Sequence, residues 1–416
     1  MILAVAAPVA TALYMNMKKY ILIFGLFLLV AACRQQDAAP VPSTWEEMVA
    51  AGSNTTVHLM MWQGDPFINS YIQQFVKPRV KELYNIDLQV AGGQGNQIVS
   101  LLMTEKEAGK RSSAIDMMWI NGETFYQLRQ IDGLYGPFTD RLPNAALVDW
   151  NNPFIGIDFQ QPIEGYECPW GNVQMAIIYD SLLTPQPPLT MEALQQYVQE
   201  NPGTFTIPND FTGMTLLKAW LIALAGGGDA LDGPFSEERY RKASALLWEY
   251  VRSLQPYMWK GGKTFPDGPA TMHKLLANGE IHFSMSNNDG EVDNKVLQQL
   301  LPPTARAFVF SSGTIQNAHY MGIAQGAPNK AGAMLVINFL LSPEAQYHKL
   351  QPAVWGDGTV LDRNRLPEEW QEKFNNVPGR TYAPQRSAID SLALMELAPE
   401  YMIRLFDDFR KEIIEK

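Results

Sequence analysis

The sequence predicts an α/β protein of at least two lobes, each an open, mostly parallel sheet flanked by helices. Three observations carry that prediction. The chain has 416 residues, more than one hydrophobic core usually organises. Its first half repeats the unit strand, short loop, helix, which is the signature of a doubly wound sheet. Residues 115–120 (IDMMWI) form a nearly continuous apolar run, as expected of a parallel strand covered on both faces.

The elements follow in order. Residues 57–62 alternate toward a strand. Asp65-Pro66 then supplies an N-cap and a first-turn proline for a helix reaching about residue 84. Residues 86–90 are a second strand, and Gly92 to Asn96 turn the chain into a helix over roughly 97–107. The third strand, 115–120, ends at Asn121-Gly122-Glu123 and a further helix. Later strands are expected at 173–179, 205–207, 281–285, 307–310 and 320–324. Helices are expected at 191–200, 212–225, 236–252, 268–278, 331–341, after Ser342-Pro343 and over 387–416. Residues 351–386 are rich in Pro, Gly and Asn without clear periodicity.

Composition excludes several classes. Hydrophobic residues make up 46% and charged residues 18%, which fits a packed chain and not a disordered one. The net charge of −11 argues against a nucleic-acid partner. Two cysteines make neither a disulfide framework nor a Cys-rich zinc site. The chain has no G-x-S-x-G, no H-E-x-x-H and no Cys–His spacing of a known hydrolase, so no catalytic residue, cofactor or metal is assigned.

The N-terminus points to export. Lys18-Lys19 precede an apolar run over 20–32 that ends in LVAAC at 29–33. A cationic start, a short apolar stretch and small residues make a secretory signal, and the stretch is short for a membrane span. The ending resembles a bacterial lipobox, in which Cys33 is lipidated and becomes the mature N-terminus. Residues 1–32 are then the signal peptide and 33–44 a Pro/Ala-rich tether. The residues ahead of Met15 read as an upstream start.

Longer motifs carry a family resemblance. AGAMLVINFLLSPEAQ at 331–346, preceded by GIAQGAPNK at 322–330, resembles a segment of the extracellular solute-binding proteins of ABC importers. DMMWINGETF at 116–125, GLYGPF at 133–138 and SGTIQNAHY at 312–320 resemble the YnjB-type branch of that family. The resemblance implies a two-lobed, type II periplasmic-binding-protein-like fold with a hinge and an interlobe cleft. It places lobe I at 45–170 plus 320–350 and lobe II at 171–319 plus 351–416, with crossings near 170–179 and 318–323. The implied partners are a small solute, the permease and ATPase subunits, and a bacterial membrane through the Cys33 lipid, with the protein periplasmic or at the cell surface. The alternatives are an extracytoplasmic lipoprotein enzyme acting on carbohydrate, told apart by turnover, and a structural surface lipoprotein, told apart by the absence of any solute response.

Ligands of open α/β sheets bind beyond the carboxyl ends of the strands. The candidates on lobe I are therefore Trp62, Asp65, Gln94, Asn96, Trp119, Asn121 and Glu123. Trp170, His319 and Tyr320 lie at the crossings, and Asp210, Asn287 and Asp289 lie in loops of lobe II. Aromatic faces suit a ring or a cation; a single tryptophan fits core or rim packing better, but three at converging positions point to at least one platform. Asp65, Glu123, Asp210 and Asp289 favour a cationic solute if they line the cleft, whereas loop amides around Gly93 and Gly95 favour an anion. Each of these acids also fits a plain helix cap or a surface charge. The balance leans slightly to a cationic or zwitterionic aromatic solute.

Overall fold

The computed structural model describes residues 41–416. The signal peptide, Cys33 and the tether up to residue 40 lie outside the described residues. The end of the tether is docked. Val41 packs on the first core, the Pro42 carbonyl accepts from Arg141, and Thr44 with Glu47 closes a capping box on helix α1, Trp45–Gly52.

Strand β1 (Thr56–Met61) is followed by the helical stretches Pro66–Ser70, Tyr71–Val76 and Lys77–Tyr84. Next come β2 (Asp87–Gly92), α2 (Gly95–Glu107), β3 (Met117–Ile120) and α3 (Gly122–Gln130). Both β2 and β3 pair with β1 in parallel. All three loops that leave these strands therefore emerge at one edge, which is what the strand–loop–helix pattern predicts.

The chain then reaches two consecutive strands, β4 (Glu167–Gln174) and β5 (Ala176–Asp180). A single strand was expected at 173–179; Met175 breaks the run between them, its N–H bonded to the Ile315 carbonyl. Helix α4 (Phe211–Leu224) follows, then β6 (Phe283–Ser286), α5 (Glu291–Leu297), β7 (Ala305–Phe308) and the long β8 (Thr314–Ile323). After α6 (Lys330–Leu340) and a loop-rich segment come β9 (Ala393–Leu394) and α7 (Pro399–Phe409).

Two large apolar cores result. The first holds the β1–β3 sheet with α6; the second holds α4, β5, β6 and α7. Strand β8 serves both, with Ile315 in the second core and Ala318, Tyr320, Met321 and Ile323 in the first. It pairs antiparallel with β3 and with β4, so β4 and β8 run side by side between the cores.

Three details differ from the sequence reading. The second sheet, β6-β5-β7, is antiparallel throughout, because β5 enters it directly from the crossing strand instead of through a helix. Residues 205–208 join no ladder; the Thr204 and Phe205 carbonyls accept from the N–H groups of His282 and Trp259. The segment expected wholly with the second lobe is divided. Trp355, Val360, Leu361, Leu366 and Phe374 enter the first core, while Ala383, Leu397 and the α7 residues enter the second.

Candidate functional site

The carboxyl edge of the β1–β3 sheet meets a helix of the second core: Asp65, in the loop after β1, pairs with Lys295 of α5. Trp62 and Trp119 stand edge to face at 6.4 Å, and Trp62 is 37% exposed. Trp170 lies behind them at 5.0 Å from Trp119 and is fully buried. Trp62 and the half-buried Trp119 thus present aromatic surface, and Trp170 is core.

The acids separate by role. Asp65 is fully engaged: one oxygen caps the next helix through Phe67 N–H (2.7 Å) and Ile68 N–H (3.1 Å), and the other meets Lys295 Nζ of α5 at 2.5 Å. Lys295 also pairs with Glu291 at 3.2 Å. This ion pair ties the first lobe's rim to the second lobe's helix. Asp210 caps α4 through Gly213 N–H at 3.1 Å, and burial raises its carboxyl to about 6. Asp289 is wholly buried and accepts from Gln174 N–H and from Arg386 and Arg380. It locks the end of β4 in place, so its expected ligand role has no free oxygen behind it.

Glu123 differs from the others. It sits in the first turn of α3, and its Oε2 is buried with no hydrogen-bond partner. Gly122 before it adopts φ +46, and its N–H donates to the buried Asp158. A Cβ there would meet the Phe159 ring at 2.3 Å, so only glycine permits this turn. Burial raises Glu123 to about 7; Lys218 opposes the rise and Glu396 adds to it. Burial also holds Asp158 and Glu167 well above the usual carboxylate range.

Lys218 of α4 and Glu396 form a buried ion pair beside them. Asn317 of β8 donates to the second Glu396 oxygen at 3.0 Å. The Lys218 ammonium lies 4.2 Å from the Phe159 ring centre and 5.5 Å from that of Phe211. Across the gap Asn287 donates to Thr212 Oγ1 at 3.1 Å and leaves its own Oδ1 buried and unpartnered. Lys218 balances Glu396, and Glu123 is left with a buried carboxylate oxygen that no hydrogen-bond donor reaches.

The remaining candidates are structural or exposed. His319 is buried against Trp119, Trp170 and Trp355 and meets Asp357 at 3.2 Å, where Lys349 also binds. Tyr320 is fully buried and donates to the Ile155 carbonyl at 3.0 Å. Gln94 precedes α2 in a capping arrangement with Gln97, and Asn96 is exposed beside it. Asn121 is half-buried ahead of α3. Sequence reasoning missed Lys218, Glu396, Asn317, Phe211 and Lys295 as site residues. A lone lysine within the apolar run of α4 was a readable signal for the first of them. Among the described residues no group of three or more His, Cys, Asp or Glu is placed to hold a metal ion, and no helix is long and apolar enough to cross a membrane.

Two cores bridged by paired antiparallel strands, with a polar and aromatic gap at the sheet edge, define a type II periplasmic-binding-protein fold. Residues 71–377 match the model of the bacterial extracellular solute-binding protein family. Protein YnjB of Escherichia coli (strain K12) is 37% identical over 338 residues, covering 80% of this chain and 87% of that one. The chain belongs to the extracellular solute-binding family. Its fold is shared with a putative spermidine/putrescine ABC transporter protein from Listeria monocytogenes at TM-score 0.61 and 16% identity, over 87% of this chain and 99% of that one. It is also shared with the iron-bound HitA of Pseudomonas aeruginosa at TM-score 0.58 and 14% identity, over 85% and 99% of the two chains.

Proposed function

We propose that the protein is the lipid-anchored solute-binding component of an ABC importer. It takes a small cationic solute with a flat or apolar part into the cleft and hands it to the permease and its ATPase. The two lobes are built on the first and second cores, with β4 and β8 as the crossings. Neighbours of the same fold are named for polyamines and for iron, so the fold alone does not select a ligand. The observation that carries the reading is the pair of buried acceptors without donors, Glu123 Oε2 and Asn287 Oδ1. Unsatisfied buried acceptors are costly, and an ammonium or amine supplies what both lack. Trp62 and Trp119 offer the faces for the apolar part.

Thermal-shift screening tests it with spermidine, choline and thiamine against neutral sugars and sugar phosphates. A bound solute at about 100 times its Kd adds roughly 2.7 kcal/mol. Stabilisation by neutral or anionic solutes alone contradicts the cationic assignment.

Lys295→Met removes the Asp65 ion pair and should favour separated lobes. Small-angle scattering should then give a larger radius of gyration than wild type without solute; an equal radius means the pair does not hold the lobes together. Cys33→Ser should release the protein from membranes or leave its signal uncleaved. Unchanged detergent partitioning together with an unchanged mature mass rules out the anchor.

A further inference from the structure

A second cavity, separate from the cleft, lies on the flank of the crossing strands. Its volume is about 450 Å³, and Asn172 of β4 and Gln316 of β8 contribute to its wall. Side chains alternate along a strand: Gln316 lines this cavity, whereas its neighbour Asn317 reaches Glu396 in the cleft. The crossing strand therefore separates the two spaces. The wall comes from both lobes. Phe374 belongs to the first core, and the loop holding Arg380 runs on to Ala383 of the second.

Three arginines line the cavity: Arg363, Arg380 and Arg386. Two nearby acids are consumed within the wall. Asp293 accepts from three backbone N–H groups, those of Thr381, Tyr382 and Ala383. Asp289 is saturated by Gln174 N–H, Arg380 and Arg386. Arg380 Nη1 also donates to the Pro384 carbonyl and Arg386 Nη2 to that of Asn172, both at 3.1 Å, and each guanidinium keeps its other N–H groups. The Arg363 side chain is exposed and has no hydrogen-bond or ion-pair partner among the described residues. The remaining lining acid, Asp390, is exposed. Donors without acceptors in a polar cavity of ligand size are the complement of an oxyanion.

We propose that this cavity is a second ligand site, which takes a small oxyanion, the phosphate or carboxylate group of a solute, on Arg363, Arg380 and Arg386. Arg363 follows the first-core residue Leu361, while Arg380 and Arg386 hold the second lobe's Asp289. An anion bridging them favours the closed arrangement, because it binds that state better.

Calorimetry and thermal unfolding with inorganic phosphate and with succinate, at constant ionic strength, test the proposal. Wild type, Arg363→Ala and Glu123→Gln are compared. Arg363 touches no partner, so its removal leaves the fold intact. Wild type should bind at least one of the two anions, and Arg363→Ala should weaken that binding about tenfold, the loss of one charge-assisted contact. Glu123→Gln should leave it unchanged, which keeps this result independent of the cleft reading. Binding of phosphate only marks a phosphorylated solute, succinate only an organic acid, and both a general oxyanion site. Absence of binding, or equal binding by Arg363→Ala, overturns the proposal.

Discussion

Lys218→Met should lower stability by about 3–5 kcal/mol, read from the midpoint of chemical denaturation. The lysine is fully buried and its partner Glu396 is nearly so. Removing the ammonium leaves a carboxylate without its counter-ion in a low-dielectric setting, where the cost of burial is no longer offset. The Phe159 and Phe211 faces lose their cation as well. The double variant Lys218→Met, Glu396→Met should recover much of the loss, since a well-packed apolar pair can replace a buried ion pair. A single variant as stable as wild type means that the ion pair does not hold this part of the fold.

Glu123→Gln should weaken a cationic solute about tenfold to hundredfold, the loss of one charge-assisted contact. The pH dependence gives the same residue a second signature. Its carboxyl is raised to about 7 in the folded protein, chiefly by burial. Below that pH it is protonated and offers a cation little. Affinity should therefore rise as pH increases through about 7 and level off above. The sign for stability is opposite. Between the ordinary carboxylate range and about 7 the folded state holds a proton that the unfolded chain has lost, so stability from this group falls as pH rises. Glu123→Gln should flatten both profiles. Calorimetric titrations from pH 5.5 to 8.5 check this, and a wild-type affinity independent of pH removes Glu123 from the site.

The strand–loop–helix rhythm made the first sheet legible. Its strands β1 to β3 are parallel and each is followed by a helix, and the turn residues Asp65-Pro66 and Asn121-Gly122 mark two of the helix starts. The loops that leave those strands were legible for the same reason, and Glu123 with them. The antiparallel second sheet was not, because β5 and β7 differ from parallel strands in their partners and not in their composition. Side-chain commitment was not legible either. Asp65 and Glu123 both follow a strand and open a helix, yet Asp65 has both oxygens occupied and Glu123 has one without a partner. That difference depends on Lys295, distant in sequence, reaching one acid and not the other. Asp289 misled for the same reason: its loop looks like a rim, while Arg380 and Arg386 arrive from the irregular segment that has no periodicity to place it. Trp170 and His319 sit where an aromatic platform was expected and turn out to be packed against Trp355 from that same segment.

The central claim is that a cationic solute is captured between the lobes with Glu123 at the contact. Titration calorimetry combined with small-angle scattering, on wild type and Glu123→Gln with the best cationic solute from the screen, tests it most directly. The account predicts one-to-one binding by wild type, a smaller radius of gyration than that of Lys295→Met without solute, and at least about tenfold weaker binding by Glu123→Gln. Equal affinity of the two proteins for that solute, or saturation of Lys295→Met with no decrease in its radius, would contradict it.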